Sequence, residues 1–153
     1  MKALVKKYAE PGIWMEEVPM PEVGVNDVLI KVTKAAICGT DLHMYKWDEW
    51  SQAHCVPPYT MGHEFVGVVA EVGPGVRNFK VGERVTAEGH IVCGHCRNCR
   101  RGMGHVCENT ISVGIMGKDG CFAEYVTIPE SNVVRVRPEI PDDFAAIMDP
   151  FGN

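Results

Sequence analysis

The chain has 153 residues, 46% of them hydrophobic and 23% charged, with a formal net charge of -5. That length supports one buried core, and the mixture excludes a disordered or low-complexity chain. An acidic balance repels phosphate backbones and excludes nucleic acid as a partner, with Arg97, Arg100 and Arg101 forming only a local basic spot.

In chain order, the N-terminal stretch MKALVKKYAEPGIW lacks the apolar run of a signal peptide, and nowhere do about eighteen apolar residues occur together. The expected location is the cytoplasm, with no membrane partner. β-Rich runs are predicted at 3–6, 28–32, 65–72, 84–87, 122–128 and 133–136. Ten prolines and sixteen glycines punctuate them, which argues for a mainly β barrel over a doubly wound sheet. Cys38 follows the 28–32 run, just beyond a strand end where the chain turns at Gly39. Residues 47–50, WDEW, read either as a pocket wall or as an exposed amphipathic segment. Gly62, His63 and Glu64 open the 65–72 strand. Residues 141–147 read as a short helical start, because Asp142 and Asp143 suit the positive end of a helix dipole.

Between these runs stands CGHCRNCRRGMGHVC, residues 93–107, with four of the seven cysteines. A cytoplasmic chain keeps such thiols reduced, and the odd count leaves one unpaired in any disulfide scheme, so metal ligation is the better reading. Cys93, Cys96, Cys99 and Cys107 can close a tetrahedron around Zn²⁺, with Gly94, Gly102 and Gly104 supplying turns. Four thiolates leave no open position, so this zinc is expected to be structural. Iron–sulfur ligation is the alternative, although the bacterial cluster run ends C-x3-C-P and this one does not. His95 and His105 are either solvated loop residues or substitute ligands.

Cys38, His63 and Glu64 form a second constellation: a thiolate, an imidazole and a carboxylate at two strand ends can make a catalytic zinc shell with one position open for water or substrate. Cys55 and Cys121 stand outside both sets and read as structural thiols. The nicotinamide fingerprint G-x-G-x-x-G is missing. Gly73-Pro74-Gly75 is followed by Asn78 at the third glycine position, and Gly114, Gly117 and Gly120 have the wrong spacing.

Taken in order, Cys38-Gly39-Thr40-Asp41-Leu42-His43, Gly62-His63-Glu64 with Gly67 and Gly73, Gly82-Glu83-Arg84-Val85, the four-cysteine lobe and Gly120-Cys121-Phe122-Ala123-Glu124-Tyr125 resemble the zinc-dependent medium-chain alcohol dehydrogenases. The resemblance runs through the whole chain. Residues 38–51, 88–96 and 149–153 look most like the branch of that family that oxidises L-threonine. It implies a partly open, GroES-like β-barrel catalytic domain over 1–153, with a few short helices and a zinc lobe at about 89–110. It further implies catalytic zinc on Cys38 and His63, with Glu64 ligating or close by, and a proton relay through Thr40 and His43. Asp149 falls where relatives carry an acid or cysteine that either ligates zinc or contacts a ligand. His90 either lines the substrate pocket or is solvated. NAD is expected to be bound by a Rossmann domain that lies outside this chain, so that the chain alone turns over little. The full-length form is expected to be a homo-oligomer, a tetramer.

Overall fold

A computed structural model describes residues 1–152; Asn153, the last residue of the 149–153 segment, lies outside the described residues. In chain order the elements are β1 (Lys2–Lys6), β2 (Trp14–Glu17), β3 (Asp27–Ala36), α1 (Gly39–Lys46), α2 (Glu49–His54), β4 (Tyr59–Thr60), β5 (Glu64–Val72), β6 (Arg84–Ala87), β7 (His90–Ile91), α3 (Arg97–Arg100), β8 (Ile111–Val113), β9 (Gly117–Lys118), β10 (Tyr125–Pro129), β11 (Val133–Arg135), α4 (Asp142–Ala145) and α5 (Met148–Phe151). The largest sheet runs β10-β3-β5-β6-β11, and smaller ones run β2-β1-β4 and β7-β8-β9. Backbone bonds from Leu4 N–H to the Phe122 carbonyl and from Met61 N–H to the Leu4 carbonyl join the first two sheets. The fold is mainly β and does not close, matching the expected partly open barrel.

The apolar alternation explains the core. Val28, Ile30, Phe65, Val69, Val85, Val126 and Ile128, all on the largest sheet, pack into one cluster. Each side chain of this size contributes roughly 1.5–3 kcal/mol on full burial. β5 is the central strand, and Phe65, Val66 and Val69 are buried along it. A second cluster of Val66, Val136, Ala145 and Ala146 seats α4. A third, Met44, Cys55 and Met61, lies beneath α1 and α2.

One irregularity positions the site. The β3–β5 register skips Thr33: Val32 pairs with Gly67 but Lys34 with Val66. A Cβ at Gly67 would come within 2.4 Å of the Lys31 carbonyl oxygen, so only glycine lets the strands approach there. Beyond this bulge Ala36 pairs with Glu64. The end of β3 and the start of β5 therefore lie side by side, with Cys38 two residues past one and His63 one residue before the other.

Boundaries differ from the sequence reading in several places, and β3 runs on from the expected 28–32 to Ala36. The strand expected at 122–128 begins at Tyr125 because Phe122 and Ala123 pair with β1 instead. The turn at Gly39 opens α1, and the WDEW segment enters α2. The helical start expected at 141–147 forms α4, and a further short helix, α5, begins beyond it after Ile147.

Candidate metal centres

α1 begins at the first ligand. Cys38 is its N-cap, and the Asp41 carboxylate, three residues on, accepts the Cys38 N–H through Oδ2 at 2.9 Å. This is the reciprocal arrangement of a capping box, with a thiol where serine is usual. His63 is set by Gly62, whose φ is 89° and whose added Cβ would meet Phe122 Cδ1 at 2.3 Å. Gly114 and Gly120 press against the Gly62 carbonyl oxygen from behind: a Cβ on either would approach it to 2.1 Å. The glycines that fail as a phosphate loop thus pack the support of a histidine.

Cys38, His63 and Glu64 bring their ligand atoms within 4.8 Å of one another. His63 and Glu64 are buried, 8% and 5% exposed, and Cys38 is half-buried. Gathering a carboxylate, an imidazole and a thiol away from water is costly unless a cation balances them, and this sulfur, nitrogen and oxygen set suits Zn²⁺. A second observation supports the fit. His63 Nδ1 and Asp41 Oδ1 are both buried without a hydrogen-bond partner, and they face each other at 3.9 Å. A histidine whose Nδ1 is turned to a carboxylate presents Nε2 as its ligand atom, the usual arrangement around a metal. Burial pushes the Asp41 carboxyl above the ordinary range, while the Cys38 N–H and His63 oppose that rise. Sequence reading gave Asp41 no role beyond its place in the motif; its spacing to Cys38, that of N-cap to third helical residue, was the available signal.

Thr40, half-buried, places Oγ1 3.7 Å from Cys38 Sγ. His43 stands one turn further along α1, exposed, with Nδ1 2.5 Å from Asp48 Oδ2. Asp149, on α5, is half-buried and outside the three-residue set. Burial raises its pKa, as does the nearby Glu88, whereas the Gly89 N–H, His90 and His63 lower it. It therefore belongs with the 88–90 segment at the edge of the site. His90 is exposed, its Nδ1 2.7 Å from Glu88 Oε1, and both residues line a cavity of about 550 Å³ with His105 and Asn132.

The four lobe cysteines also gather within 4.8 Å. Backbone amides already serve their sulfurs: Cys96 N–H donates to Cys93 Sγ and Cys99 N–H to Cys96 Sγ, both at 3.4 Å, and Asn109 N–H to Cys107 Sγ at 3.3 Å. The Cys93 thiol is lowered to about 6, chiefly by the His95 backbone N–H, and Cys96 is lowered by the Cys99 N–H. Cys99 is pushed up to about 12 by desolvation and by neighbouring sulfurs. Four thiolates cannot share this space alone, and a divalent cation removes the conflict. Gly94 and Gly102 take the positive φ expected of them, while Gly104 does not and instead starts a 3₁₀ turn. His95 and His105 stand outside the set. Cys55 and Cys121 are buried in the two cores, and burial raises both thiols.

The chain is thus an open, mainly β domain carrying two candidate metal shells, and comparison with known proteins shows its family. Residues 24–139 match the alcohol dehydrogenase GroES-like domain, and the chain belongs to that family. It is 61% identical over 153 residues to the L-threonine 3-dehydrogenase of Mesorhizobium japonicum, covering 100% of this chain and 44% of that relative. The L-threonine 3-dehydrogenase of Legionella pneumophila strain Corby is 58% identical, again over the whole chain and 45% of the relative. The chain thus spans less than half the length of the curated relatives it matches. Among solved structures, an alcohol dehydrogenase of Escherichia coli CFT073 complexed with NADH is 34% identical, with a TM-score of 0.87 over 99% of this chain and 42% of that one. Galactitol-1-phosphate dehydrogenase from Escherichia coli is 28% identical, with a TM-score of 0.87 over 98% and 42%.

Proposed function

We propose that this chain is the catalytic domain of an NAD-dependent L-threonine 3-dehydrogenase, working in the cytoplasm as part of a homo-oligomer, a tetramer. The observation that carries the reading is the convergence of Cys38, His63 and Glu64 at the start of α1, the helix that also bears Thr40 and His43. The 61% identity to a protein of that name supports the substrate. The reaction removes a hydride and a proton from C3 of L-threonine and its hydroxyl, giving 2-amino-3-oxobutanoate, NADH and H⁺.

Cys38, His63 and Glu64 would hold the catalytic zinc, and Cys93, Cys96, Cys99 and Cys107 a structural one. Bound by Cys38, His63 and Glu64, zinc would supply Lewis acidity toward the substrate hydroxyl, and NAD, on a Rossmann domain outside this chain, would serve as the hydride acceptor. The Thr40 hydroxyl accepts the substrate proton and passes its own to His43, whose exposed ring releases it to water. Asp149 and His90, beside Glu88, border the substrate pocket.

The test joins this chain to the cofactor-binding portion of an L-threonine 3-dehydrogenase and follows NADH formation. L-Threonine is the expected preferred substrate, and Cys38→Ser should reduce kcat at least about a thousandfold. Faster turnover of a polyol would overturn the substrate while leaving the family intact. Retained activity in Cys38→Ser would remove it from the zinc shell.

A further inference from the structure

His43 and Asp48 are five residues apart, and on a continuous helix such residues lie about 140° apart and do not meet. They meet here because α1 ends at Trp47, which takes φ 54° and ψ 46°, the left-handed conformation, although it is not glycine. The reversal folds Asp48 back over the last turn. Its surroundings hold Trp47 in that conformation. The fully buried Lys6 places Nζ 4.8 Å from the Trp47 ring centroid and donates to the Gly12 carbonyl at 2.9 Å and to the Glu10 carbonyl. Gln52 Nε2 donates to the Trp47 carbonyl at 2.8 Å.

Asp48 then divides its two oxygens. Oδ1 accepts the Ser51 N–H at 3.1 Å and caps α2, while Oδ2 lies 2.5 Å from His43 Nδ1. The His43 and Ser51 contacts hold this carboxyl below the ordinary range, so it is ionised and can only accept. The proton of neutral His43 must therefore sit on Nδ1, and Nε2 carries the lone pair. The Trp50 ring lies tilted beside that of His43 at 5.9 Å between centroids, and His54 stacks on Trp50 at 4.9 Å.

We propose that Asp48 is a positioning residue for the proton relay: it fixes the tautomer and orientation of His43 so that Nε2 is the acceptor of the proton leaving through Thr40. As Nε2 gains that proton the ring becomes an imidazolium, stabilised by the Asp48 carboxylate, and Nε2–H then passes the proton to water. The inference rests on the dehydrogenase reading above, and its test separates the two.

Asp48→Ser keeps a good N-cap for α2 but is too short to reach His43. Long-range ¹H–¹⁵N spectra of the zinc-loaded chain at alkaline pH should show His43 as the Nδ1–H tautomer, changing toward Nε2–H in Asp48→Ser. The same tautomer in both proteins would overturn the inference. In the enzyme completed with its cofactor-binding portion, Asp48→Ser should lower kcat about tenfold, with KM for L-threonine and NAD within about twofold, and should add nothing in a His43→Gln background. An equal loss in both backgrounds would mean that Asp48 does not act through His43. Unchanged kcat in His43→Gln alone would sink the relay, while the spectra would still decide whether Asp48 sets the tautomer.

Discussion

Asp41 ties two candidate ligands together: one carboxylate oxygen accepts the Cys38 N–H and the other faces His63 Nδ1. Because it orients both, Asp41→Asn is expected to weaken retention of zinc at Cys38, His63 and Glu64 about 10–100-fold, measured by competition with a chelator of known affinity. Retention equal to wild type would mean that the 3.9 Å approach to His63 does no work. At this scale the sequence was uneven in what it revealed. Cys38, His63 and Glu64 were legible as candidate ligands because their residue types carry their chemistry. Asp41 and Asp48 were not, because an acid on a short helix ordinarily reads as a solvated cap. Asp149 was legible only as an acid near the site; its neighbours Glu88, Gly89 and His90 became evident with α5 placed.

At the scale of elements, the ends of β3 and β5 deliver the candidate ligands Cys38, His63 and Glu64, and the four-cysteine segment at 93–107 is a separate group. The strands were readable from alternation, since their inward residues are Val, Ile and Phe. The bulge at Thr33 was not, since it depends on the approach of Gly67 to a neighbouring strand. α1 escaped the periodicity for a different reason. It buries Asp41 and Met44 and exposes Leu42 and Tyr45, so its polar pattern is partly inverted by the site it serves. β2 has four residues, WMEE, at a half-exposed sheet edge, too short for a clear pattern. The lobe makes a sharp prediction. α3 has four residues and few lobe side chains are buried, so its order depends on metal. Cys107→Ser should abolish hydrogen-exchange protection across 93–109 and lower the Tm, while β3 and β5 stay protected. Unchanged lobe protection would show that the cysteines hold no structural ion.

For the whole molecule, composition was enough to expect one core and a mainly β chain, and the motif order was enough to expect the GroES-like barrel. What composition could not give was the way the sheets join, through Phe122, Met61 and Leu4, which rests on contacts far apart in sequence. That junction adjoins His63, since Gly62 packs on Phe122 and Gly120 donates to the Thr60 carbonyl at 2.9 Å. Both shells are therefore expected to assemble within this one domain before any cofactor arrives. Elemental analysis of the purified chain checks this: about two zinc ions per chain are expected, falling to about one in Cys38→Ser. One zinc in the unmodified chain, unaffected by Cys38→Ser, would contradict it.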